Sequence, residues 1–155
     1  MVWNKKAFFY ILAPMLGLGA LGVLFLDLNS SWHESLAKPA LALSDWALAA
    51  LGGVCCFSLW LAAYITLSHT RRMQYPFTYL LFCCLAGLFS CLPYLYFEKR
   101  LLVNCLMAVS LIFILSIVLL FRLYDRRERS AALLLPAFFY SAYLIVLHYG
   151  AVMLN

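Results

Sequence analysis

Charge is what this chain has least of. Only 11% of its 155 residues are Asp, Glu, Lys or Arg and 67% are hydrophobic, whereas soluble domains carry roughly one-quarter charged residues. That shortage excludes a soluble globular domain and points to an integral membrane protein. A chain of this length builds one compact helical bundle over 1–155, with no room for a separate soluble domain. No acid or base interrupts Ala7–Leu26 or Phe77–Phe97, so the midplane ionisable group expected of a coupled transporter is missing. Also missing are a Ser/His/Asp set, a carboxylate pair and a His/Glu metal spacing, so no side-chain catalysis is legible. The six cysteines all fall inside apolar blocks without the spacing of a thiolate metal site or a disulfide framework, and read as small packing residues. The net charge of +5 comes from short basic clusters between apolar blocks. Such clusters suit lipid headgroups and membrane topology, not nucleic acid.

What the chain does have is apolar length. A helix rising ~1.5 Å per residue needs about 20 apolar residues to cross ~30 Å of hydrocarbon, and lipid tolerates no unpaired backbone. Five blocks meet that requirement, giving helices over 7–28, 44–68, 77–97, 101–122 and 131–154. The first follows basic residues as a signal sequence would, but its run of about 20 residues exceeds the ~7–15 of a signal core, so it is kept as a spanning helix. Lys5, Lys6, Arg71, Arg72, Arg122, Arg126, Arg127 and Arg129 fall on one side of this five-helix arrangement, and Lys38, Lys99 and Arg100 on the other. The imbalance predicts a cytoplasmic N-terminus, with the 29–46 loop and the C-terminus opposite; a bacterial inner membrane fits better than an organelle. Small residues four apart, at Ala13/Gly17, Ala49/Gly53 and Ala86/Ser90, mark helix contacts and a possible homodimer face. Pro14, Pro93 and Pro136 are expected to free carbonyls and kink their helices.

The long connection is 29–46, containing WHESLAKPALALSDW from Trp32 to Trp46. Indole rings at both ends favour the headgroup level of a bilayer. Pro39 biases Lys38 toward extended backbone, and Ser44 and Asp45 are placed to cap the helix that follows. The segment reads as a lid between two spanning helices.

Three stretches of the chain resemble the TspO/MBR family of membrane proteins. Trp32-x-x-x-Leu36-x-Lys38-Pro39 followed by Trp46 is similar to the family loop WYxSLxKPxWxPPxW. LAPMLG at Leu12–Gly17 is similar to the family's first helix. AALLLPAFFYSAYLIVLHY at Ala131–Tyr149 resembles its last helix, with LLxPYLAWxxFxxxLN. The resemblance implies a five-helix membrane bundle with a cavity for porphyrins, sterols or drug-like molecules. Leu41, Leu43 and Ser44 replace the family's Trp and Pro-Pro pair, and its pocket residues fall on Gly52, Cys56, Phe89, Leu92 and Ala108. Tyr140 and His148 stand where the family has Trp and Asn, and no base follows Tyr149 to complete a sterol-type pattern.

On this reading the ligand-binding residues are Trp32, Lys38, Pro39, Trp46, Cys56, Phe89, Tyr140, Tyr143 and His148, and the ligand a hydrophobic planar molecule such as a porphyrin or haem. Several of these residues have two roles open to them. His148 either meets a ligand or makes an interhelical hydrogen bond. Lys38 either pairs with a carboxylate of the ligand or anchors to lipid phosphate. His33 and Glu34 are proton-transfer groups or plain loop polarity. Tyr140, Tyr143, Phe89, Trp60 and Tyr64 form an aromatic wall or ordinary packing. The competing function is a pocket-less interaction protein working through helix association.

Overall fold

A computed structural model describes residues 17–27, 31–69, 76–125 and 129–155, all helix and connections with no strand among them. Residues 17–24 form the described part of a first helix, α1. A short α2, Ser31–Ser35, lies in the lid and is followed by the long helix α3, Asp45–His69. Then come α4, Pro76–Pro93, continued by a π turn at Tyr94–Glu98, and α5, Leu102–Asp125. A 3₁₀ turn, Arg129–Leu134, leads into α6, Leu135–Leu154.

Four helical segments of 22 to 25 residues are long and apolar enough to cross a membrane: Asp45–Thr66, Pro76–Glu98, Leu102–Asp125 and Ser130–Leu154. Their outer faces carry Leu51, Phe57, Leu80, Met107, Ile114, Phe121, Phe139 and Val146 in exposed positions. So much bare apolar surface needs lipid, not water, around it. Of the expected helix over 7–28, residues 7–16 and 28 lie outside the described residues, with Pro14 and the Ala13 half of the first small-residue pair among them, and the described part is helical only to 24.

The four long helices close a ring in which α3 packs on α4 and α6, and α5 packs on α4 and α6. Three connections put chain neighbours side by side, including the expected antiparallel pair α4 and α5. The remaining α3–α6 contact closes the circle. One half of this ring is solid. Leu59, Ala62, Ala63, Leu81, Phe82, Leu85, Ile112, Leu119 and Leu123 are all buried there. At that end Arg122 donates from Nε to Thr78 Oγ1 at 3.0 Å and lies over the Phe77 ring at 4.8 Å, while Thr66 and Ser130 share a 2.7 Å hydroxyl contact.

The prolines act at helix boundaries. Pro76 and Pro136 sit in the first turns of α4 and α6, where the missing N–H is no loss. Pro93 ends regular α4, and the chain widens so that Lys99 N–H reaches Tyr94 O at 3.1 Å, five residues back. That widening turns Tyr96 and Phe97 toward the lid. Gly22 permits α1 to approach α4, because a Cβ there would meet Ser90 Cα at 3.3 Å. The Ala86/Ser90 pair thus marks a helix contact, whereas Gly53 faces open space with no atom within 4 Å.

Candidate functional site

The opposite half of the ring is hollow. A partly open cavity of about 410 Å³ lies among α1, the upper turns of α3 and α6, the π turn and the lid. Beyond Asp45 and Leu48 in its first turn, α3 lines it with the small residues Ala49, Gly52, Gly53 and Cys56, which leave room there. Its floor is the nearly parallel pair Phe89 and Tyr140, with ring centroids 6.5 Å apart. Tyr140 crosses onto α3 at Gly52, where a Cβ would lie 3.2 Å from the phenol oxygen, and donates to Leu48 O at 3.0 Å.

The lid is held down mainly by one helix. Tyr143 Oη donates to Leu41 O at 2.9 Å and accepts from Leu43 N–H at 3.1 Å. Pro39 rests on Gly150, so closely that an added Cβ would come within 2.8 Å of Cγ. Asn155 accepts from Ala37 N–H at 3.0 Å and donates to Ala37 O at 3.2 Å. The lid and the C-terminal end of α6 therefore share one end of the bundle. Removing the phenol hydroxyl in Tyr143→Phe takes away two hydrogen bonds worth about 0.5–1.5 kcal/mol each. Hydrogen exchange at Leu43 is expected to accelerate roughly tenfold, and unchanged exchange would show that the bond does not hold the lid.

A charged cluster fastens the other side. Lys38 Nζ donates to Asp45 Oδ2 at 2.8 Å and Oδ1 at 3.1 Å, and His33 Nε2 stands 3.0 Å from the same carboxylate. His33 Nδ1 is 3.1 Å from Tyr96 Oη in the π turn. Trp32 packs edge-on against Tyr96 at 5.2 Å and lies under the Arg100 guanidinium at 5.8 Å. Arg100 takes a left-handed backbone with φ 55°.

Of the residues singled out from sequence, Lys38, Pro39, Cys56, Phe89, Tyr140 and His148 border the cavity together. Three do not. Trp46 is 76% exposed and faces outward; Trp32 and Tyr143 fasten the lid instead of lining the hollow. The expected aromatic wall also divides. Trp60 and Tyr64 stack on each other at 6.1 Å away from the cavity, leaving Phe89 and Tyr140 at its floor. Asp45 does not spend its carboxylate on capping α3, because Lys38 and His33 occupy it. His33 is buried, not loop polarity, at 7% exposure. Sequence reasoning missed this placement, and also missed Tyr96, Asn155 and Gly150. Their roles come from contacts between residues 63 to 118 positions apart. The one local hint was the i, i+7 spacing of Tyr143 and Gly150, which puts both on one face of α6.

His148 is buried, and its Nδ1 is 2.9 Å from Leu144 O one turn back in its own helix. The Tyr96 ring stands edge-on to the imidazole at 5.8 Å. Among the described residues no group of three or more His, Cys, Asp or Glu is placed to hold a metal ion.

No curated protein matches the chain. The family model described as TspO/MBR family matches residues 10–154. With nearly the whole length matched, and apolar helices able to cross a bilayer several times, this multi-pass membrane protein belongs to the TspO/MBR family.

Proposed function

We propose that the protein is a membrane receptor or carrier that takes a hydrophobic, planar small molecule of tetrapyrrole type into the cavity beneath its lid. The observation that carries this reading is the hollow itself. Its volume of about 410 Å³ lies within the ~300–1,000 Å³ typical of small-molecule sites, in the half of a helix ring where α3 turns Ala49, Gly52, Gly53 and Cys56 toward the space. The lining is mostly apolar, so affinity comes from burying ring faces against Phe89 and Tyr140. Lys38 is already neutralised by Asp45, so ion pairing to the ligand is secondary. A cavity of this size encloses the inner part of a tetrapyrrole and leaves its polar edge at the opening.

The same reading carries a fifth spanning helix over 7–28, a cytoplasmic N-terminus with the lid on the far side of a bacterial inner membrane, and association of two copies. Crosslinking in membranes and accessibility labelling of the lid test these points. The pocket-less alternative has no comparable support from the packing.

Filling the hollow separates function from fold. Ala49 and Gly53 border the cavity one turn apart on α3, and Gly53 has nothing within 4 Å. Leucine raises helix propensity at Gly53 and lowers it only slightly at Ala49 while occupying the space. Protoporphyrin IX titrated into the wild-type protein is expected to quench Trp fluorescence saturably, and the Ala49→Leu/Gly53→Leu variant to bind at least tenfold more weakly with its melting temperature retained. Absence of saturable quenching in the wild type, or identical binding by the variant, overturns the proposal.

A further inference from the structure

We propose that the end of the bundle away from the lid holds the phosphate of one anionic phospholipid, on the guanidinium of Arg122 where α5 meets α4. The site is separate from the cavity and does not depend on what the cavity binds. Arg122 lies in the last turn of α5, half-buried, and its side chain is fixed at two points. Its Nε–H goes to Thr78 Oγ1 at 3.0 Å, on a threonine buried in the first turn of α4, and its Cζ stands 4.8 Å from the centre of the Phe77 ring. The other four N–H donors of the guanidinium have no acceptor among the described residues. Nor does Arg122 pair with a carboxylate there, Asp125 one turn on included, because the ion pairs among the described residues both belong to Asp45. What remains is a forked positive group whose direction is already set. That is the form in which arginine takes two phosphate oxygens at once.

The depth of this group in the bilayer fits a headgroup. Exposed apolar residues descend α5 from Phe121 through Val118 and Ile114 to Leu111. That length of helix rises ~15 Å, about half of the ~30 Å hydrocarbon core. On α4 the exposed residues Phe77, Leu80 and Cys84 follow one another at helical spacing, beginning with the ring under Arg122. Tyr124, 73% exposed, lies just beyond Arg122, where a ring with a polar tip suits the membrane interface. An acyl chain laid on these apolar rows within one leaflet brings its phosphate to the guanidinium. Charge then selects among lipids. At this end the sequence carries Arg71, Arg72, Arg126, Arg127 and Arg129 against the acids Asp125 and Glu128. A zwitterionic headgroup brings its own cation into that positive field, whereas an anionic one does not. The lid end offers no equivalent in Lys38, which Asp45 already neutralises.

The full chain in detergent is titrated with phosphatidylglycerol and with phosphatidylcholine of the same acyl chains, bound lipids are counted by native mass spectrometry, and the melting temperature is read in parallel. A basic residue at a membrane surface contributes about fivefold in binding of anionic lipid. The wild type is therefore expected to take its first phosphatidylglycerol about fivefold or more tightly than phosphatidylcholine, and Arg122→Gln to remove most of that preference with phosphatidylcholine binding unchanged. Arg127→Gln deletes the same charge from the neighbouring connection and should leave most of the preference in place. Arg122→Lys keeps the charge without the fork; it should also lose most of the preference, and it serves in place of the glutamine variant if that one does not fold. Equal losses in Arg122→Gln and Arg127→Gln overturn a defined site in favour of a diffuse positive field. A lowered melting temperature in Arg122→Gln with the lipid preference intact shows that Arg122 only staples α5 to α4, and overturns the proposal. So does a wild type that binds both lipids equally. Displacement of the bound lipid by sn-glycerol 3-phosphate would reassign the site to a free phosphate ester and overturn its assignment to lipid.

Discussion

Leucine at Gly150 is expected to lift the lid off the bundle without unfolding the helices. The lid's Pro39 lies so close to α6 at this point that even a methyl group would come within 2.8 Å of its Cγ and 3.1 Å of its Cβ. The proline ring cannot swing aside as a long side chain would, because it is closed onto its own backbone. The lid segment itself has to move, and moving it stretches the neighbouring bonds from Tyr143 to Leu41 and Leu43 and from Asn155 to Ala37. The helix gains, since leucine is favoured over glycine in a helix interior by close to ~1 kcal/mol. Lid seating and global stability should therefore move in opposite directions. Hydrogen exchange at Ala37 and Leu43 is expected to rise by at least tenfold, with the melting temperature held or raised and protoporphyrin IX affinity reduced at least tenfold. Unaltered exchange at both amides would mean that the lid does not depend on this seat.

Asp45→Asn should loosen the opposite margin of the lid. The carboxylate accepts two bonds from Lys38 and stands 3.0 Å from the buried His33, and an amide of the same shape supplies one acceptor in place of two and no charge. Lys38 is 41% exposed on its side chain, so solvent screens its share and a surface pair of this kind contributes little. The larger loss falls at His33, which sits in the cluster at 7% exposure. A net weakening of about 1–2 kcal/mol follows, read as roughly five- to thirtyfold faster exchange in the lid. Lys38→Met combined with Asp45→Asn tests the assignment as a double-mutant cycle. The two effects should be less than additive, because the first substitution has already removed the shared interaction. Strict additivity, or no change in exchange from Asp45→Asn alone, contradicts the latch.

How much of this was readable beforehand differs sharply between the helices and the lid. The four described spans begin and end within a few residues of their sequence expectations, because uninterrupted apolar runs in lipid have no other way to satisfy their backbone. Cys56, Phe89, Tyr140 and His148 were singled out from the chain and do border one cavity. They lie on the long helices α3, α4 and α6. Local chemistry misled where tertiary partners compete for a side chain. Asp45 looks like a helix cap until Lys38 is brought to it, and Trp46 looks like a lid residue until its neighbours leave it facing outward. The Ala49/Gly53 pair has the spacing of a helix contact and instead makes a void. Small residues permit either outcome, and spacing alone does not say whether another helix arrives.

The chain by itself determined that the protein lives in a bilayer, that its long apolar segments are helices, and that one Trp-flanked segment stands apart from them. Those properties follow from the cost of exposing charge or bare backbone to hydrocarbon, a cost that each segment meets alone. Tertiary structure decided where the bundle is solid and where it is hollow, and which residue the lid rests on. These depend on contacts between side chains far apart in sequence, and a contact of that kind exists only once the helices have chosen their neighbours.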